Sequence, residues 1–332
     1  MHLLLSFFLI LISSFINSDD YINLYSARQE VLMKPLIKAF ENKTEVKVNI
    51  IAAKANQLIN RIKEEGAFTK ADILLTTDVA RLIAAKNYNL FKQINNSKIL
   101  SKIPENLRDT DNKWFALSKR ARIIVYDTTK VKKDLLGGYL GLMENKWINK
   151  IMVRSSNNVY NQSLIAAMIY NYGEKEIERF LPKFVRNFSR KPSGGDRDQI
   201  RGVLSGEGDI ALVNSYYFLK MKINDESGQL KNLKIHFPKD NKMKTHINIS
   251  GLGIIKHTKN LENCIKFLDF MLSTDAQAIY ANVNYEYPIR NDIGLGEKMR
   301  EYQIPYQDKI NLSDFGKLND KAILMMDIAG WK

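Results

Sequence analysis

The alternation of strand-like and helix-like segments most constrains the fold of this chain. Strand patterns occupy residues 21–25, 46–51 and 71–75, and helix patterns occupy residues 31–40 and 57–65. Such alternation is typical of an α/β layer with a largely parallel sheet, in which ligands bind beyond the carboxyl ends of the strands. The sequence therefore predicts ligand-binding loops at 26–29, 53–55 and 76–78.

A second α/β unit follows, with strand patterns at 151–154 and 209–213 and a helix pattern at 162–172. Apolar strand patterns flank it at 114–117, 123–126 and 246–255. We therefore expect the chain to leave one lobe near residue 118 and to return to it near residue 246. The predicted domains are lobe one at 19–118 plus 246–294, and lobe two at 119–245 plus 295–332. Two crossings between lobes make a hinge, which suits closure around a ligand.

The first 18 residues have the layout of a secretory signal peptide. Their apolar core of about a dozen residues is too short for a membrane span, and small and polar residues follow it. His2 stands where such peptides usually carry Lys or Arg, so an uncleaved anchor or a first core helix remains an alternative. We expect export to the periplasm and a soluble mature chain without an internal disulfide, since Cys264 is the one cysteine.

The formal net charge is +14, and its basic residues are spread along the chain. Nucleic-acid binders group such charge beside exposed aromatic residues, so we expect a solvated basic surface and no nucleic-acid partner. Nucleophile-turn, phosphate-loop and Cys/His metal motifs are absent from the sequence, and the few histidines lack helical ligand spacing. The sequence therefore predicts that the chain is not an enzyme.

Three tyrosines stand in polar surroundings and are candidate metal ligands: Tyr160, and the adjacent pair Tyr216 and Tyr217. A phenol normally loses its proton only near pH 10, but a highly charged cation lowers the pKa of the groups that coordinate it. Ferric iron suits such hard oxygen donors. The alternative is an aromatic pair at a strand end, with one ring packed inward and one half exposed.

Several sequence blocks resemble the periplasmic ferric-ion-binding proteins of bacterial ABC transporters, which have a type II periplasmic-binding-protein fold. The resemblance runs from about Tyr21 to Pro288, and its blocks are 25–29, 71–78, 114–122, 154–163, 191–199, 214–217, 245–251 and 285–288. It implies a two-lobed α/β protein in which each lobe is a mixed sheet flanked by helices, with a two-strand hinge between them.

The resemblance also implies the ligands. In the family pattern, tyrosines that match Tyr160, Tyr216 and Tyr217 bind Fe(3+). Many members add a His, or a His-Tyr pair, where this chain has Gln29 and Glu30, so it looks like the subgroup that completes the site with carbonate or a similar synergistic anion. Two further positions, Arg28 and Arg120, match the arginines that hold the anion, although either could instead form a salt bridge. Glu30 could also coordinate the metal.

The expected function is therefore capture of ferric iron and delivery to an inner-membrane ABC permease, by a monomer. A metal-free receptor for a small organic or inorganic anion on the same fold remains an alternative, because Arg28 and Arg120 could bind an anion alone. A secreted enzyme on this scaffold would need a nucleophile–base pair that the sequence does not offer.

Overall fold

The computed structural model describes residues 20–307 and 309–332. The predicted signal peptide, residues 1–18, lies outside the described residues. The strands of the described chain are β1 (Tyr21–Ser26), β2 (Lys47–Ala52), β3 (Ile73–Thr76), β4 (Phe115–Asp127), β5 (Ile151–Met152), β6 (Ile210–Asn214), β7 (Leu233–His236), β8 (Ile247–Ile254) and β9 (Tyr287–Pro288).

The helices surround these strands and follow the amphipathic segments of the sequence. They are α1 (Glu30–Thr44), α2 (Ala55–Glu65), α3 (Val79–Asn87), α4 (Ser97–Leu100), α5 (Val159–Tyr172), α6 (Glu174–Arg186), α7 (Asp196–Leu204), α8 (Ser215–Ile223), α9 (Leu261–Met271), α10 (Thr274–Asn282), α11 (Leu312–Gly316) and α12 (Asn319–Ile328). Short 3-10 turns complete the connections. Within the described ranges, no helix has the length and apolar character needed to cross a membrane.

The strands form a mixed sheet in the order β2-β1-β3-β8-β4-β6-β5, and β7 and β9 also pair with β4. The pairs β1–β2, β1–β3 and β5–β6 are parallel, whereas every strand that pairs with β4, and the pair β3–β8, is antiparallel. The strands from which a parallel sheet was predicted, β1, β2 and β3, are parallel, so that prediction is confirmed for them. The expectation of mixed sheets flanked by helices is also confirmed, because the strands that pair with β4 and β8 are antiparallel. The direction of neighbouring strands depends on where the long strands β4 and β8 enter the sheet. Hydrophobic periodicity is a local property and does not predict that position.

The long strand β4 differs from its sequence pattern, which suggested two apolar strands around a polar segment at 118–122. The structure has one continuous strand, and all its residues are buried except Asp127 at its end. Its first half pairs with β8 as far as Ala121, and its second half pairs with β6 and β7 from Arg122 onward. The chain thus crosses between two groups of strands at 121–122, and β8 begins opposite Ala121.

Two buried apolar clusters lie on the sheet. The larger contains the rings of α1, α9 and α6, with Trp331 packed edge-on against Phe184 and Phe188 at 5.3 and 5.4 Å between ring centroids. The smaller contains the candidate tyrosines together with apolar residues of α7 and β6. The C-terminal helix α12 packs on α5 and α6. The lobe boundaries given above stay a prediction.

Gly253 of β8 offers a test of how tightly the sheet is packed. A Cβ atom there would lie 2.4 Å from ring carbons of Phe91, which is itself buried. We expect Gly253→Ala to lower the free energy of unfolding by about 1–3 kcal/mol, because the ring has no space to move. Gly294→Ala is the matched control, since its Cβ would meet nothing within 4 Å. Urea denaturation measures both variants, and equal stability of the two would contradict the packing.

Candidate metal centre

A cavity of about 190 Å³ brings together the five predicted site residues. Its lining includes Tyr160, Tyr216, Tyr217, Arg28 and Arg120. The other lining residues are Ala27, Gln29, Leu32, Thr77, Arg154, Asn158, Val159 and Glu286. These side chains come from segments far apart in the chain, so the fold itself assembles the cavity.

The three tyrosines lie in the first turns of two helices. Tyr160 is the second residue of α5, and Tyr216 and Tyr217 are the second and third residues of α8, which follows directly after β6. Backbone N–H groups of a helical first turn have no intrahelical partner, and the N-terminal end of the helix dipole is positive. Both helix ends therefore favour negative charge on the phenol oxygens.

Burial distinguishes this arrangement from a surface aromatic pair. Tyr160, Tyr216 and Tyr217 are 9%, 7% and 9% exposed, so neither ring of the adjacent pair is half exposed. The Tyr216 and Tyr217 rings lie 4.0 Å apart between centroids, with an angle of 32° between their planes. All three phenols thus reach a common, largely dry space.

The same burial governs ionisation. Burial raises the pKa of Tyr216 well above its usual value, and the neighbouring Tyr160 and Tyr217 raise it further. Burial, and then Tyr160 and Asp196, raise the pKa of Tyr217 to about 12. Tyr216 and Tyr217 are therefore neutral at pH 7 without a cation.

Arg120 supplies positive charge that no carboxylate offsets within ion-pair distance in residues 20–307 and 309–332. Its guanidinium carbon lies 5.0 Å from the centre of the Tyr160 ring. It donates to Ser250 Oγ at 3.0 Å and to the Ile249 carbonyl at 2.8 Å, and its buried Nε has no partner in the described chain. The Arg120 guanidinium could therefore bind an anion in the cavity.

Arg28 is held differently, because its guanidinium forms a buried salt bridge with Glu286 at 2.8 Å. It also donates to Ser250 Oγ at 2.5 Å, so Ser250 joins the two arginines. The salt bridge was the alternative role for Arg28, and the structure shows that contact while placing the same side chain in the cavity wall. Glu286 in turn accepts from Ser118 Oγ.

Behind the cavity, the Asp196 carboxylate and two arginines form a charged network that holds the start of α8 in place. Asp196 is buried and accepts from Arg122 at 2.9 Å and from Arg154 at 2.8 Å. It also accepts from the backbone N–H of Asn214, the residue before α8, at 3.0 Å. The carboxylate therefore ties α7 to the segment that carries the tyrosine pair.

Sequence reasoning gave no role to Arg154, Asn158, Asp196 or Glu286. Each of them lies within or beside a block that carried the resemblance, such as 154–163 or 285–288. A buried polar residue flanked by site residues is the signal that could have found them, but burial was not visible in the sequence.

Two of the three predicted ligand loops contribute to the cavity. The loop at 26–29 supplies Arg28 and Gln29, and the loop at 76–78 supplies Thr77. The loop at 53–55 does not line the cavity, because β2 is the edge strand of the sheet and its end lies away from the centre. Glu30 is likewise outside the lining, and its carboxylate lies 3.6 Å from Lys34.

His246 is a buried residue outside the lining of the cavity. It lies just before β8, and its backbone N–H donates to Tyr139 Oη at 3.0 Å, whereas its buried Nε2 has no partner in the described chain. Burial, and then Arg122 and Arg120, lower the pKa of His246 to about 3, so the ring stays neutral. Among the residues that the structure describes, no three His, Cys, Asp or Glu side chains form a metal site.

Comparison with known proteins adds to this geometry. A family described as bacterial extracellular solute-binding protein matches residues 50–319. Iron uptake protein A1 of Synechocystis sp. is 38% identical over 314 residues, which are 94% of this chain and 87% of that protein. This chain belongs to that solute-binding family. The family consists of solute-binding proteins and is not a family of enzymes.

Solved structures give the same picture. The Trichodesmium protein IdiA (FutA), in complex with iron and citrate, is 42% identical with a TM-score of 0.88, over 94% of this chain and all of that one. A ferric binding protein from Campylobacter jejuni is 36% identical with a TM-score of 0.88, over 94% of this chain and all of that one. The predicted type II periplasmic-binding-protein fold is therefore confirmed.

A substitution of Asp196 tests whether the charged network of Asp196, Arg122 and Arg154 stabilises the protein. We expect Asp196→Ala to lower the free energy of unfolding by about 3–5 kcal/mol, because the buried Arg122 and the partly buried Arg154 would lose their counter-charge. Asp134→Ala removes an exposed carboxylate and should change stability by less than about 0.5 kcal/mol. Chemical denaturation compares the two, and an Asp196 variant as stable as the control would show that the network is not stabilising.

Proposed function

We propose that this chain captures ferric iron in the periplasm and delivers it to an ABC importer, and that Tyr160, Tyr216 and Tyr217 bind the metal. The observation that carries the proposal is that these three buried phenols line one cavity at two helix N-termini. The iron-related names of the similar proteins support it.

Charge neutrality explains why a trivalent ion suits the site. Three phenolates balance one Fe(3+), so the loaded ligand set carries no net charge. A divalent ion would leave the metal and its phenolates with one negative charge, which would compete with an oxyanion for Arg120. Phenolate oxygens are also hard donors, which favours the ferric over the ferrous state.

The remaining coordination positions suit an oxyanion. Arg120 presents a guanidinium without a carboxylate partner in the described chain, and Arg28 lies beside it through the shared Ser250. A planar guanidinium matches carbonate or a similar small anion in geometry and charge. We propose Arg120 as the main contact of this synergistic anion and Arg28 as its neighbour.

The solute-binding family to which the chain belongs supports the proposal that it delivers its cargo to a transporter. A single chain has the complete cavity, so we propose a monomer that docks on an inner-membrane permease. The crossing of β4 and β8 near residue 121 would be the hinge on which the cavity opens. Residues 1–18 would direct export as a signal peptide.

The metal-free anion receptor is the second candidate, and the arginine pair is the observation that favours it. A metal-free anion receptor, however, would leave the three tyrosines without a chemical role. The two candidates are separated by colour, because only an iron–phenolate site absorbs visible light.

We expect the iron-loaded protein to show a visible phenolate-to-iron charge-transfer band. Tyr160→Phe, Tyr216→Phe and Tyr217→Phe should each weaken or abolish the band and lower iron affinity, since each removes one anionic ligand. Tyr170→Phe is the matched control, because Tyr170 lies on the same helix as Tyr160 but is half exposed. Full colour and affinity in all three site variants would refute the ligand assignment.

Iron affinity should rise with pH. Tyr216 and Tyr217 have raised pKa values, so they hold their protons below those values and must release them when the cation binds. Each released proton steepens the dependence of log K on pH by one, so these two protons should make log K increase by about two per pH unit, and acid should promote iron release. Competition with a chelator of known pH dependence measures this slope. A flat profile between pH 5 and 8 would contradict phenolate ligation.

A further inference from the structure

A second cavity, of about 360 Å³, lies on the opposite face of β4 from the candidate metal centre. Successive residues of a strand point to opposite faces, so Arg120 faces the metal centre and Lys119 faces this second cavity. The two linings share no residue. The second cavity is therefore a separate compartment, and the function proposed above does not account for it.

Lys119 is the unusual group in this cavity. Its side chain is almost fully buried, with the residue 8% exposed, and its Nζ donates to Gln307 Oε1 at 3.4 Å. No carboxylate of the described ranges lies within ion-pair distance of it. Burial lowers the pKa of Lys119 to about 8, and no nearby charge compensates. A buried ammonium that keeps its charge needs an anionic or strongly polar partner.

The rest of the lining is also basic. Lys244 and Lys309 are exposed at the cavity, and neither forms an ion pair within the described chain. Lys239 lies 3.6 Å from the centre of the Tyr306 ring, another lining residue. Arg290 adds a guanidinium that is partly neutralised by Asp292. Among the described lining residues there is no Asp or Glu.

Neutral hydrogen-bonding groups accompany these cations. The amides of Gln303, Gln307 and Asn291 line the cavity, whereas the Tyr287 hydroxyl is already used as a donor to the Tyr302 carbonyl at 2.7 Å. Amide N–H groups and ammonium groups around one small space form a donor-rich lining, which favours an acceptor with several negative oxygens.

We propose that this cavity binds a small oxyanion with two or more negative charges, with Lys119 at its base and Lys244 and Lys309 at its mouth. The bound anion would provide the charge partner that Lys119 lacks. Phosphate and dicarboxylates share this chemistry, and the experiment separates them.

Isothermal titration of the iron-free protein with inorganic phosphate and with malonate tests the proposal. We expect saturable binding of at least one of these probes, and the one that binds more tightly identifies the class of anion. Lys119→Met should weaken that binding about tenfold or more, because a charge-assisted contact is lost. Lys38→Met, an exposed lysine of α1, removes the same charge elsewhere and should leave binding unchanged.

The double variant Lys244→Gln/Lys309→Gln provides a second test that leaves the buried core intact. It should also weaken binding, and it decides the matter if Lys119→Met does not fold. The absence of saturable binding of both probes would overturn the proposal. Equal affinity of the wild type, Lys119→Met and the double variant would overturn it as well, because the anion would then bind elsewhere, for example beside Arg120.

Discussion

The buried cations of β4 are the constraint on which the rest of this structure depends. The strand carries Lys119, Arg120 and Arg122 through the centre of the molecule, where an unpaired charge costs several kcal/mol. Arg122 is satisfied by Asp196, Asn214 and Asn161, which fixes α7, β6 and α5 around it. Within the described residues, Arg120 donates its hydrogen bonds to neutral groups of β8. The strand thus positions the surrounding elements and leaves positive charge facing the cavity.

This surplus charge explains why metal and anion would bind together. The cavity combines the Arg120 guanidinium with the positive ends of two helices, and this positive field repels a bare cation. The same field favours ionised phenols and a bound oxyanion. In the proposed function, a trivalent cation would bind as the tyrosines lose their protons, and the phenolates would then balance the positive charges around them. Loss of those phenolate charges by protonation would restore the repulsion, which gives a physical route to release.

The residues around Arg28 show where sequence reasoning stops. The arginine was assigned to the anion from its sequence block, and it does lie in the cavity wall. Its salt bridge with Glu286 joins residues 258 positions apart, and no local pattern could have indicated that contact. Asp196 is similar, because its importance comes from three donors on separate elements. The continuous strand β4 was missed for the same reason, since partners on β6 and β8 satisfy its polar residues.

The alternation of strands and helices, the α/β class and the residue types of the site can be read from the sequence alone. These properties are local, because they follow from hydrophobic periodicity and from the chemistry of phenol and guanidinium groups. Three contacts depend on the folded chain: Tyr160 shares a cavity with Tyr216 and Tyr217, Glu286 pairs with Arg28, and Lys119 faces a second basic cavity. These contacts depend on strand order and on the pairing of segments that are distant in the sequence. Both result from packing the apolar residues of the entire chain into a common core.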